Sequence, residues 1–185
     1  TWPLTGSHQI SDCQACHPDH HREQIKMFEG IGGKTVPGHP DTMLVTRLDC
    51  RSCHRFRKVS DTGTVLWTAS AETCLMCHDE ATISDLEDYH TGLRGCLPDV
   101  ESSIGRIRAA LKSAEVGDER SSAIKEQLDD LQADLDFLRV GNGIHNVHYA
   151  STLTRALADR VSSLCRELKI DQPEITLPET LVSPE

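Results

Sequence analysis

The sequence predicts a mainly α chain with much irregular loop, made of a loop-rich N-terminal part and a C-terminal helical hairpin or three-helix arm. Three observations carry this. Apolar residues recur at helical spacing through residues 98–170. Cysteine, histidine and glycine crowd residues 1–95, which hold six of the eight cysteines and eight of the ten histidines. Hydrophobic residues make up only 37% of the 185 residues and aromatics 4%, thin for a protein core of this size.

The elements follow in chain order. A short helix is expected at Asp19–Glu29. Gly30, Gly32, Gly33, Pro37, Gly38 and Pro40 then exclude a long regular element before Cys50. Ile104, Ile107 and Leu111 mark the first helix of the arm. Gly117–Asp118 offers a break. Ile124, Leu128, Leu131, Leu135 and Leu138 step in a heptad-like 4-3-4-3 pattern. Gly141-Asn142-Gly143 is a strong stop. Leu153, Leu157, Val161, Leu164 and Leu168 repeat the stripe on a last helix, and Pro173, Pro178 and Pro184 predict an extended tail. The expected units are residues 1–95, 96–170 and 171–185.

The formal charge is −10, from 29 acidic and 19 basic residues. That argues against nucleic acid, which needs a basic face. No run of 18 apolar residues occurs, so no membrane-spanning segment is expected. The chain opens TWPLTGSHQ, without a charged start and apolar stretch. Thr1 is therefore expected at or beyond a processed N-terminus.

Six cysteines form three pairs, each followed at once by histidine: Cys13-Gln-Ala-Cys16-His17, Cys50-Arg-Ser-Cys53-His54 and Cys74-Leu-Met-Cys77-His78. C-x-x-C-H is the attachment signature of c-type haem. Two thiols three positions apart reach the two vinyl groups of one porphyrin, and the next residue places an imidazole on the iron. A zinc ribbon would join two C-x-x-C units and would not need the histidines. A thioredoxin-like pair would need a βαβ setting, and disulfides would not require histidine. Three haems within roughly 80 residues must be neighbours, so the N-terminal part is expected to be haem-packed. His17, His54 and His78 are the proximal ligands of this reading.

Each iron has a second axial position. His8, His20, His21 and His145 are the distal candidates, with His39 and His90 in reserve. His20 and His21 lie on the general face of His17 and would serve a neighbouring haem. His145 opens the last helix after a glycine turn and would tie the arm to the haems. His148 is expected to face a propionate or solvent. Met27 and Met43 are further candidates, whereas Met76 is expected to pack.

With these residues in view, the chain resembles the multihaem cytochromes of the cytochrome c3-like, doubled-CXXCH group. The three motifs carry the resemblance. The segment from His21 to Gly33, the Pro40-Asp-Thr-Met43 stretch, and Gly143-Ile-His145-Asn-Val-His148-Tyr-Ala are similar to segments of such proteins. The resemblance implies electron transfer in the periplasm or outside the cell, often through bis-histidine haems. It leaves the partner open, whether other redox proteins or further cytochrome subunits. Three motifs and a long helical half depart from the compact four-haem cytochromes c3, so haem order and ligand pairing do not carry over.

The expected function is electron transfer by three closely spaced covalent haems, as a redox subunit, filament protomer or shuttle. The alternative is a small multihaem reductase with one open haem. No lysine replaces histidine in any motif, so the C-x-x-C-K signature of nitrite-reductase catalytic haems is missing. The heptad-like stripe is read first as a structural arm, and second as a homo-oligomer or filament contact. Cys96 and Cys165 remain. Exported proteins pair spare cysteines by default, but three antiparallel helices put these two roughly 30 Å apart, beyond the about 7 Å a disulfide allows. No bond between them is expected.

Overall fold

The computed structural model describes residues 21–113, 118–171 and 175–177. The first motif, with Cys13, Cys16 and His17, lies outside the described residues, as do His8 and His20. The described elements are α1 (Arg22–Glu29), α2 (Thr42–Val45), α3 (Cys50–Cys53), β1 (Phe56–Val59), β2 (Val65–Thr68), α4 (Ala71–Cys74), α5 (Glu80–Ser113), α6 (Asp118–Gly141), a 3₁₀ turn (Gly143–His145) and α7 (Val147–Glu167). The chain is mainly helical, as expected.

Helices α5, α6 and α7 pack on one another as a three-helix bundle. The stripes read from the sequence are its core: Ile104, Ile107, Leu128, Leu135, Leu157 and Val161 are almost wholly buried. Each such side chain contributes about 1.5–3 kcal/mol by leaving water. Leu168, just past α7, packs against this core only in part. The Gly-Asn-Gly stop works as read. α6 ends at Gly141, and Asn146 caps α7 by accepting from the Tyr149 amide at 3.0 Å. Gly143 is required at this corner, because a Cβ there would meet Leu93 at 2.5 Å.

The arm begins earlier than expected. α5 starts at Glu80 and runs 34 residues, so the change in composition near residue 95 falls inside a helix. Its apolar row starts upstream: Leu86 packs on the core in part, and Tyr89, Leu93, Leu97 and Val100 are buried. That continuous row of contacts holds the helix through Gly92, Gly95 and Pro98, which read locally as breakers. The short helix expected from Asp19 is described from Arg22 and ends at Gly30 in a left-handed cap.

The loop after α1 is strapped to the bundle. The buried carboxylate of Asp134 accepts from the Lys34 amide (2.6 Å), the Thr35 amide (3.0 Å) and the Thr35 hydroxyl (2.6 Å). The Tyr149 hydroxyl accepts from the Gly33 amide at 2.9 Å, and Asn146 Nδ2 donates to the His39 carbonyl at 2.7 Å. The loop follows the bundle surface because its backbone donors have no partners of their own.

Residues 45–76 are different. β1 and β2 form an antiparallel hairpin that pairs Phe56 with Thr68 and Val59 with Val65. The segment adds nothing to the main core; among the described residues, every member of that core except Met27 lies at residue 89 or beyond. Instead Val45, Leu48, Val59, Val65, Leu66, Trp67, Leu75 and Met76 are exposed. Met76, expected to pack, is 65% exposed.

Both remaining spare cysteines are buried free thiols. Cys96 Sγ donates to the Leu93 carbonyl at 3.2 Å. Cys165 feels the charge of Arg106, ten residues beyond Cys96 on α5 and therefore about 15 Å along the axis. The two thiols thus belong to different levels of the bundle.

Candidate functional site

The second and third motifs fold alike. Cys50–Cys53 and Ala71–Cys74 are each one helical turn. In the second motif the His54 amide donates to the Cys50 carbonyl at 2.8 Å; in the third the His78 amide donates to Cys74 at 2.9 Å. In the second motif this turn is α3 itself, with a thiol at each end, whereas α4 ends on Cys74 and the third motif runs on past it as a hydrogen-bonded turn to Cys77 and His78. Asp49 caps the second motif reciprocally with Ser52. The motifs flank the hairpin, and α3 touches α4. Burial pushes the Cys53 thiol up, and the nearby thiols of Cys74 and Cys77 and the carboxylate of Asp49 add to this.

The structure brings His54 to His145. Their ring centres are 6.4 Å apart and their planes within 6° of parallel. That is too far for ring contact. Two imidazoles on opposite sides of one iron, each bonded at about 2 Å, have centres about 6 Å apart. The nitrogens are sorted as well. His54 Nδ1 lies 3.0 Å from the Trp67 carbonyl, and His145 Nδ1 lies 3.1 Å from the carbonyls of Gly141 and Asn142. A carbonyl only accepts, so each Nδ1 carries a proton, and Nε2 is the nitrogen with a lone pair to offer a metal in the neutral ring. Burial lowers the His145 pKa, despite the opposing pull of those carbonyls, and His54 and His21 lower it further. The imidazole is thereby held neutral, the form that binds a metal.

These carbonyls escape sequence reading. The Gly-Asn-Gly stop marks the end of α6, but nothing local shows that its last carbonyls turn to His145. The hairpin that supplies the Trp67 carbonyl left a signal in Val65-Leu-Trp-Thr68, β-favouring residues after Thr62-Gly63.

The other histidines are placed as follows. His145 sits in the 3₁₀ turn, two residues before α7 rather than at its opening. His21 holds a left-handed backbone beside α1. His39 and His148 are both exposed, with ring centres 4.3 Å apart, too close to hold one iron between them. His90 Nε2 lies 3.1 Å from Asn142 Oδ1. Met27 is fully buried in the core.

Among the described residues, no three Cys, His, Asp or Glu side chains converge as a metal site, and no helix is long and apolar enough to cross a membrane. No family model, no curated protein and no solved structure matches this chain.

Proposed function

We propose that this chain is an electron-transfer protein of the periplasm or cell exterior. It holds three covalently attached c-type haems on the motifs ending at His17, His54 and His78. One observation supports the reading: the His54 and His145 ring centres lie 6.4 Å apart with planes within 6° of parallel, and both Nδ1 atoms are engaged by carbonyls. The residues fit the group. Cys50 and Cys53 would form the thioethers, His54 and His145 the axial bonds, and the exposed apolar side chains from Val45 to Met76 would cover the ring.

A bound haem supplies a one-electron Fe(III)/Fe(II) couple. The protein orients both imidazoles through backbone carbonyls, which also makes them better donors. With His54 and His145 both bound to it, that iron would have no position left for a substrate, which favours electron transfer over the reductase alternative. The test is spectroscopic. The loaded protein is expected to be low-spin, and His145→Ala is expected to convert one haem toward high spin, with free imidazole restoring the low-spin spectrum. An unchanged spectrum in that variant contradicts the assignment.

One observation favours a second reading. Twenty residues and a β-hairpin separate Cys53 from Cys74, as between the halves of a four-thiolate zinc site. It leaves the His54–His145 geometry without a role, and the four thiols do not converge on one point. Stoichiometric zinc and no covalent haem in the matured protein would support it.

A further inference from the structure

Charge is distributed unevenly around the motifs. Residues 47–58 carry Arg47, Arg51, Arg55, Arg57 and Lys58 against the single acid Asp49, a local +4 on a chain of −10. All five basic side chains are exposed. Among the described residues only Arg51 has an acidic partner, Asp49 at 3.7 Å. Within and just beside this stretch Val45, Leu48, Phe56 and Val59 are exposed. Residues 59–93 hold seven acids and no Lys or Arg. The second motif is thus the basic island of an acidic protein, and it combines unpaired cations with exposed apolar area, the usual make-up of an electrostatically steered contact.

We infer that the surface around the second motif docks an acidic redox protein, which exchanges one electron with the haem held by His54 and His145. The inference rests on the haem reading above. The local +4 field opposes the net charge, so an acidic carrier that approaches this face meets attraction, and salt that screens it slows docking. Arg57 and Lys58 sit on β1, next to the strand whose Trp67 carbonyl holds His54, so docked partner and iron lie close together.

The test is stopped-flow oxidation of the reduced holoprotein. An acidic flavodoxin and a basic cytochrome c serve as probes, each at low salt and near 0.5 M salt. For the acidic probe the rate is expected to fall on the order of tenfold as salt rises. Arg57→Glu with Lys58→Glu should remove most of that salt dependence. Lys112→Glu with Lys125→Glu, at the far end of the bundle, should leave it. A rate with the acidic probe that is flat or rises with salt overturns the inference, as does an equal effect of both double variants. Salt-sensitive self-association abolished by Arg57→Glu with Lys58→Glu also overturns it, by giving the patch to a second copy of the chain. A protein lacking covalent haem overturns both this inference and the proposed function, whereas a haem-loaded protein with the wrong salt pattern overturns the docking alone.

Discussion

His145 shows how one residue's surroundings fix its chemistry. Its ring is half-buried against the end of α6, and the loss of water lowers its pKa below the usual 6.5. A histidine that binds its proton less readily folded than unfolded favours unfolding at low pH. Between the two pKa values the unfolded chain holds more protons, so stability rises with pH there and is lost as pH falls through about 6.5. His148 shifts the same way, through burial and then the neighbouring His39. The haem-free chain is therefore expected to lose thermal stability between pH 7.5 and 5.5, and His145→Gln to flatten that loss. An identical pH profile in the variant would show that His145 is not the titrating group. Asp134 is a second such residue. Its removal strands two backbone amides and a hydroxyl, so Asp134→Ala is expected to cost about 2–4 kcal/mol in denaturant unfolding. A loss below 0.5 kcal/mol, the scale of an ordinary surface change, would mean that the strap is not held there.

The elements divide by what fills them. α5, α6 and α7 bury their own stripes, whereas the hairpin and the residues beside α3 and α4, Leu48, Leu75 and Met76, expose their apolar side chains. Leu128→Ala, in a fully buried position of α6, is expected to cost about 2–5 kcal/mol with or without haem. Hydrogen exchange on the haem-free chain should show α5–α7 protected and residues 45–78 open. Equal protection of both would mean that the motif segment has a core of its own. The bundle was legible in the sequence because a 3.6-residue repeat leaves a mark at every turn. The start of α5 was not, because Gly92, Gly95 and Pro98 look like breakers until the row from Leu86 to Leu111 is followed across them. The hairpin's four-residue strands leave a weaker mark in the sequence than the cysteine pattern that flanks them. The strap from Gly33 to His39 left no local mark at all, since its partners lie about a hundred residues away. The haem reading of the motif cysteines and histidines comes from their spacing alone. The pairing of His54 with His145 needed the fold, which brings the end of α6 to β2.

At the scale of the whole molecule, a self-sufficient helical bundle carries a segment rich in cysteine and histidine whose apolar side chains face outward. His145, at the corner between α6 and α7, joins the two. Covalent haem would account for the motifs, the close, near-parallel imidazoles of His54 and His145 and the exposed apolar side chains together. The measurement that tests this most directly is the intact mass, under denaturing conditions, of the chain matured in a host that attaches c-type haem. The account predicts the 20.5 kDa polypeptide plus three haems. The bare polypeptide mass, or a number of haems other than three, would contradict it.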